Sequence, residues 1–232
     1  MADTDHASPD PGIDHPDPRV DPEFVRRVGE DRPLYLVGTV HGHPASAYRA
    51  RAVAAAVRPG VLALELSPTA LPAFRAGRSD DEMSAAMAGA PGARHVGIDA
   101  VDGPFLTSLA RRLVAERVDR GTVCTVVRNL TGVVRRSLEH RVRGRTPAVE
   151  PEATYDCTIE DPPAEQAANE RAHVRKCATL LGATVSPPAQ RVTNAAREER
   201  MARHLDALRR EGSVVAVVGW GHVDALAALL DG

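Results

Sequence analysis

Two histidines in this chain follow the same short pattern: an apolar run, a glycine, two further residues and then the histidine. Gly38 precedes His41 in LYLVGTVHGH, and Gly219 precedes His222 in VAVVGWGHVD. Imidazole can act as a general base or bind a metal ion, and glycine allows a sharp turn and a close backbone approach. One such histidine is usually an exposed loop residue, whereas two at matching strand ends indicate a shared site.

A carboxylate in an apolar run is the third candidate. Glu65 interrupts VLALEL, and burying a carboxylate in a strand is costly unless it is paired, hydrogen-bonded or metal-bound. Pairing with one of the many arginines and membership of a functional site are therefore both open interpretations. Asp99 follows the apolar run HVGI, and the same argument about a carboxylate near a buried strand applies to it less strongly.

Other polar residues near these positions are candidates for supporting roles. The spacing of His41 and His43 occurs in metal sites, but the chain is expected to turn after Gly38, so His43 is either a ligand or a solvated loop histidine. Glu199 and Arg200 lie in the run REERM on a predicted helix. Such a charge run is typical of a solvated face with pairs three and four residues apart.

The elements that must position these residues follow from the hydrophobic pattern. Short apolar runs punctuated by glycine predict buried strands, and longer segments predict helices. Strands are expected at 34–37, 61–66, 95–98 and 214–218, and helices at 44–57, 71–88, 104–143, 164–181, 189–210 and 223–230; residues 122–127 fit either type. This alternation predicts an α/β fold, a central mainly parallel sheet with helices on both faces. Ligands bind beyond the carboxyl ends of such strands, so the two G-x-x-H strand ends are expected on one rim.

Composition restricts the class of protein. The chain has 232 residues, 43% of them hydrophobic, and a formal net charge of −2, which argues against a nucleic-acid or anionic-membrane surface.

Residues 1–22 are rich in Asp and Pro and predict a disordered tail, followed by a single domain at 23–232 with an exposed connection at 144–163. Three scattered cysteines predict reduced thiols and a cytoplasmic location, and no apolar run is long enough to predict a membrane span.

The motifs, taken in order and spacing, resemble the TraB/Tiki group, which is related to erythromycin esterase and ChaN-like proteins. The resemblance spans about residues 34 to 230 and is carried by LVGTVHGHPAS, LALEL, EMSAAM near VGIDA, REERMA and VVAVVGWGHV. It implies the erythromycin esterase/ChaN-like fold, with the paired histidines at His41 and His222 and the acid at Glu65. It also places the late Glu-Arg pair at Glu199 and Arg200. His43 stands where TraB-type members usually have a serine.

The resemblance implies hydrolysis of an acyl bond, either peptide or ester. Tiki-like members are metal-dependent peptidases, other members shut down peptide pheromone signalling, and erythromycin esterases open a lactone. A divalent ion (manganese, cobalt or zinc) is then expected on His41 and His222, with Glu65 as either a further ligand or the general base. Arg200 is expected to stabilise an oxyanion or to orient a substrate carboxylate.

Two alternatives to the metal-dependent hydrolase stay open. One is a metal-free hydrolase with a histidine as general base and Glu65 as its orienting group. The other is a non-enzymatic regulator that binds a peptide or small ligand on the same rim. The expected partner in each case is a peptide or small molecule, with no nucleic acid, and the oligomeric state, including a homodimer, stays open.

Overall fold

A mainly parallel sheet forms the centre of the molecule. The computed structural model describes residues 13–76, 81–143, 155–183 and 187–231. Within them the sheet has five strands in the order β1-β2-β5-β3-β4, in which β1 is antiparallel to β2 and the other neighbours are parallel. The strands are β1 (Val25–Val28), β2 (Leu34–Thr39), β3 (Val61–Leu64), β4 (Arg94–Gly97) and β5 (Val214–Gly219). The predicted α/β class with a mainly parallel sheet is confirmed.

Helices connect the strands, and several begin at a proline or at a side-chain cap. Asp81 and Asp102 are N-caps, each accepting a backbone N–H of the first turn. The helices are α1 (Pro44–Val57), α2 (Leu71–Ala76), α3 (Glu82–Gly89), α4 (Gly103–Ala115), α5 (Arg120–Arg143), α6 (Pro163–Ala183), α7 (Pro188–Arg209) and α8 (Trp220–Leu230). In the described part of the chain, none of them combines the length and apolarity that a bilayer crossing requires.

Both faces of the sheet are covered, because successive strand residues point to opposite sides. Val214, Ala216 and Val218 of β5 belong to a buried cluster with side chains of α7 and α8. Val215 and Val217 belong to a second cluster with side chains of α1 and α3. Strands β2, β3 and β5 are therefore apolar on both faces, which explains why they appear in the sequence as continuous runs rather than as alternating patterns.

Two predicted helical segments are each interrupted. The segment 71–88 forms α2 and α3, and α3 begins at Glu82 after its cap Asp81, whereas residues 77–80 lie outside the described ranges. The segment 104–143 forms α4 and α5, separated where Arg117 has a left-handed φ of 48°. Residues 122–127, which fitted either type, lie in α5, where Val126 is buried.

The N-terminal segment differs from the predicted disordered tail. Residues 1–12 lie outside the described part, but residues 13–22 pack on the domain, with Val20 only 4% exposed. The Arg19 guanidinium lies 3.5 Å from the ring centroid of Tyr48 and donates to Gln166 of α6. These polar and cation–π contacts fix a segment whose apolar content is low.

Strand β1 was absent from the predicted elements. Its sequence, VRRV, has two half-exposed arginines at its centre, so it carries no apolar run for a pattern to detect. The exposed connection predicted at 144–163 has residues 144–154 outside the described ranges. The remainder, from Tyr155, leads into α6 at Pro163.

Candidate functional site

The ends of three neighbouring strands meet at one edge of the sheet, here called the carboxyl rim (the residues directly beyond β2, β5 and β3). Thr39 at the end of β2 is opposite Gly219 at the end of β5. Leu64 at the end of β3 is opposite Val217, and the N–H of Glu65 donates to the carbonyl of Val217. The order and register therefore put the segments that carry His41, Glu65 and His222 side by side.

Glu65 is hydrogen-bonded through both carboxylate oxygens. Its Oε2 accepts the Gly219 N–H at 2.7 Å, and its Oε1 accepts Nη2 of Arg197 at 2.7 Å. Its side chain is 14% exposed. Both sequence interpretations of Glu65 thus apply together, because the carboxylate pairs with an arginine and also lies at the carboxyl rim.

Arg197 joins two carboxylates at the rim. It donates to Asp99 through Nε at 3.2 Å and through Nη2 at 2.8 Å, in addition to its bond to Glu65. Burial disfavours the charged guanidinium, but hydrogen bonds and charge from Asp99 and Glu65 outweigh burial and raise the pKa of Arg197. The guanidinium is therefore a cation held at the rim by both Glu65 and Asp99.

His222 lies in the first turn of α8, between two glutamates. Its Nδ1 is 2.7 Å from Oε1 of Glu198, and its Nε2 is 3.5 Å from Oε1 of Glu65. An ionised Glu198 accepts only, so the neutral ring carries its proton on Nδ1 and presents Nε2 as the acceptor; this tautomer is assigned from the hydrogen bond.

His41 forms a second histidine–glutamate pair. Its Nδ1 is 2.9 Å from Oε1 of Glu82, and the Gly42 N–H donates to Oε2 of the same carboxylate at 3.2 Å. The Glu82 side chain is 4% exposed, whereas that of His41 is 63% exposed. A left-handed φ of 70° at Gly42 turns the chain directly after His41. The His41 ring is thus exposed to solvent while its Nδ1 is bonded to a buried carboxylate.

His43 occupies neither of the environments that the sequence allowed. The residue is 0% exposed, its Nδ1 accepts the Ala45 N–H as the N-cap of α1, and its Nε2 is 3.2 Å from Oδ1 of Asn169. Burial lowers the pKa of His43. Because Nδ1 must accept and Nε2 must donate, the ring is neutral and serves as a helix cap rather than as a ligand.

A buried ion pair fixes the loop that carries His41. Arg49 of α1 and Glu170 of α6 are 0% and 1% exposed and hydrogen-bonded to each other. Nε of Arg49 also donates to the carbonyl of Gly38, and the hydroxyl of Ser46 donates to Glu170 while accepting the Val40 N–H. Helix α6 therefore holds both ends of this loop.

The glycines of the two G-x-x-H motifs have different roles. A Cβ atom at Gly38 would lie 2.9 Å from Cγ2 of Val223 and 3.3 Å from the carbonyl oxygen of Phe24. A Cβ at Gly219 would meet Oε2 of Glu65 at 3.5 Å, which is an ordinary contact. Close approach requires glycine at Gly38, whereas Gly219 contributes its backbone N–H.

The two α7 residues named from the sequence contact other parts of the molecule. Arg200 donates to Oδ2 of Asp102 at 2.7 Å and to the carbonyl of Ile98 at 2.9 Å, and Glu199 pairs with Arg112. The preceding residues Arg197 and Glu198 make the contacts to Glu65 and His222. One sequence signal could have found Arg197, which precedes the buried Met201 and Leu205 by four and eight residues and so shares their sheet-facing stripe.

The rim does not fit the divalent ion that the resemblance implies. The Arg197 cation contacts one oxygen of Glu65, and the Gly219 N–H occupies the other. A dication next to the half-buried guanidinium of Arg197 would be repelled. Across the described ranges, moreover, no three His, Cys, Asp or Glu side chains are grouped so as to hold a metal ion. Any chemistry at the rim therefore depends on the histidine, carboxylate and guanidinium groups themselves.

Comparisons of the chain with protein-family models, with curated proteins and with solved structures found no match. The resemblance to the TraB/Tiki group consequently rests on the sequence motifs and stays a prediction, while the α/β class rests on the fold itself.

Proposed function

We propose that this chain hydrolyses an acyl bond, in an ester or a peptide, by means of histidine–glutamate pairs and without a resident metal ion. The observation that carries the proposal is the paired arrangement at neighbouring strand ends, where His41 and His222 each bind a glutamate through Nδ1. A carboxylate on Nδ1 fixes the tautomer and orientation in which Nε2 can accept a proton. The proposal retains the TraB/Tiki kinship and the erythromycin esterase-like fold.

His41 is the general base in this scheme. Glu82 accepts its Nδ1–H from a buried position, so Nε2 of the neutral ring takes a proton from water as the water oxygen bonds to the substrate carbonyl carbon. The 63% exposure of the His41 side chain lets both water and substrate reach this atom. General-base catalysis of this kind typically contributes about 100- to 10,000-fold.

His222 completes the reaction as the acid. In its protonated form Nε2–H gives a proton to the leaving oxygen or nitrogen as the acyl bond breaks. Glu198 accepts the Nδ1–H and so fixes the direction of Nε2, which lies 3.5 Å from Oε1 of Glu65. Arg197 balances part of the carboxylate charge around the ring. His41 then loses the gained proton to solvent, and His222 takes up a proton from solvent.

The test uses p-nitrophenyl acetate and a mixed-sequence peptide library, with products detected by absorbance and by mass spectrometry in buffer containing EDTA. We expect the wild type to turn over both substrates and His41→Gln to be at least 100-fold slower on both. His222→Gln should be at least 100-fold slower on peptides, whose amine leaving group needs the proton, but not on p-nitrophenyl acetate, whose phenolate leaves without one. His204→Gln is the matched control, because its Nδ1 is bonded to Arg200 on the same helix as Glu198 and it should retain full activity.

Each contrary result selects one of the alternatives. Activity that EDTA abolishes and manganese, cobalt or zinc restores would replace the proposal with the metal-dependent hydrolase. Binding of library peptides without any product would replace it with the ligand-binding regulator. Equal loss in His204→Gln would mean that the histidine substitutions act through stability rather than through the site.

A further inference from the structure

A groove leads away from the His41–Glu82 pair between α1 and α3, here called the α1–α3 groove. It has a volume of about 300 Å³, and its lining includes Pro44 and Ser84. Pro44 is three residues beyond His41, and Ser84 is two residues beyond Glu82, so one end of the groove adjoins the proposed base. Among the described residues, larger concavities lie elsewhere, for example one lined by Arg210 and residues of α7 and one between α5 and the start of α7.

The length of the groove corresponds to a few residues of extended chain. From Pro44 to Arg51, both of which line it, α1 advances about 10 Å at about 1.5 Å per residue. Three residues of extended peptide span about 10 Å. At the far end the two helices touch, because the Gly89 position lies directly against the backbone of Arg51. The volume is at the lower end of the range for small-molecule sites, about 300–1,000 Å³.

The lining offers one available cation. Arg51 is exposed, and in the part of the chain that the structure describes its side chain has no ion pair or hydrogen bond. Arg19, which also lines the groove, is instead paired with Asp17 at 2.7 Å and stacked on Tyr48. A guanidinium without a partner is well suited to bind a carboxylate in two parallel hydrogen bonds.

The remaining lining is apolar and small. Ile159 is 74% exposed on the segment that precedes α6, and Ala47, Ala85 and Ala88 form the helical walls. The same segment is anchored at the rim, because the hydroxyl of Tyr155 donates to the carbonyl of His41 at 2.5 Å. The groove therefore suits a narrow chain with small apolar side chains between a carbonyl at His41 and an anion at Arg51.

We propose that the α1–α3 groove binds the carboxyl-terminal two or three residues of a short peptide, with its free α-carboxylate on Arg51. The scissile carbonyl then lies at Nε2 of His41, so the proposal rests on the hydrolytic function above and narrows its substrates to peptides with a free carboxyl terminus. Water adds to that carbonyl as His41 takes its proton, and the C–N bond breaks. The released di- or tripeptide receives the proton of His222 on its new amino group.

Binding of N-acetyl-trialanine and of its carboxyl-terminal amide, measured by isothermal titration calorimetry, tests the groove directly. We expect the wild type to bind the acid at least 10-fold more tightly than the amide, and Arg51→Gln to bind both equally. Arg128→Gln, which alters an exposed arginine on α5, should keep the preference for the acid. Ile159→Ser should weaken binding of acid and amide by the same factor.

Equal affinity of the wild type for acid and amide, a preference that survives Arg51→Gln, or no measurable binding would overturn the assignment. Cleavage of pentaalanine and its amide, followed by mass spectrometry, separates this failure from that of the hydrolytic function. Acid-selective binding that depends on Arg51, without cleavage, would keep the groove and remove the hydrolase. Cleavage of acid and amide at equal rates, unchanged in Arg51→Gln, would keep the hydrolase and remove the groove.

Discussion

His222 is oriented by Glu198, with Nδ1 of the ring 2.7 Å from Oε1 of the carboxylate. The bond links the first turn of α8 to the middle of α7, two helices that pack on the same face of the sheet. It fixes both the direction of the imidazole and the nitrogen that carries its proton. The consequences for activity and stability can be measured one residue at a time.

Replacing Glu198 with Gln should lower the rate of peptide hydrolysis by about 100-fold or more, in kcat rather than in KM. The amide keeps the shape of the side chain but is uncharged and can donate to Nδ1, so it disfavours the doubly protonated ring that serves as the acid. Glu199→Gln, which alters the partner of Arg112, is the neighbouring control and should change the rate less than 2-fold. An equal loss in both variants would contradict this role of Glu198.

Acid should weaken the fold through His43. Burial holds the pKa of His43 below its usual value of about 6.5, aided by Arg49 and His173 and opposed by Glu170 and the bond to Asn169. The unfolded chain thus binds more protons as the pH falls from about 6.5 toward the lowered folded pKa, so stability falls over that interval. Protonation would also place a donor at Nδ1 against the Ala45 N–H.

Urea denaturation at pH 7.5 and pH 5.5 measures this effect. His43→Asn keeps a side chain that can cap α1 but removes the titrating group, so its free energy of unfolding should fall less between the two pH values than that of the wild type. His204→Gln measures the part due to another histidine whose pKa is lowered, chiefly by burial. Identical pH dependence in the wild type and His43→Asn would refute the assignment.

The two strand-end glycines should differ in their tolerance of a methyl group. Gly38→Ala should lower the free energy of unfolding by about 1–3 kcal/mol, because its Cβ meets Val223 and the backbone of Phe24. Gly219→Ala should change it by about 0.5 kcal/mol or less, since its Cβ makes an ordinary contact. Urea unfolding at pH 7 compares the stability of the two variants with that of the wild type. Equal losses in both variants would be inconsistent with the packing described.

Removing the carboxylate of Glu170 should be among the most damaging single changes. Glu170→Ala leaves the guanidinium of Arg49 buried without its partner, a loss of about 3–5 kcal/mol. Glu116→Ala, which breaks the half-exposed pair with Arg112, should cost about 1 kcal/mol at most. Denaturant unfolding compares the two, and a loss below 1 kcal/mol for Glu170→Ala would show that the pair does not hold the His41 loop.

The strands that carry the candidate site could be predicted because they are apolar on both faces. Continuous runs such as LYLV and VVAVV are short, ended by glycine and apolar at every position, which is typical of strands at the centre of a covered sheet. Strand β1 could not be predicted in this way, since Arg26 and Arg27 occupy its centre and only pairing with β2 makes it a strand. The break between α4 and α5 depends on a left-handed residue, Arg117, that no sequence signal marks.

The partners of the candidate residues were harder to predict than the residues themselves. Each histidine pairs with a glutamate distant in sequence, Glu82 for His41 and Glu198 for His222. Helix α7 carries Glu198 and Glu199 side by side, and its rotation about its own axis decides which one reaches the rim. That rotation is set by packing of its buried residues against the sheet, which the local charge pattern does not contain.

By itself the sequence determined the α/β class, the strand-end positions of His41 and His222, and the need of Glu65 for a partner, because apolar runs and a lone carboxylate in them restrict the local environment strongly. Tertiary structure alone decided that this partner is Arg197, that His43 is a buried cap, and that each histidine binds a glutamate. Hydrogen bonds act over about 3 Å. Their partners are therefore fixed only when packing sets the position and rotation of whole helices.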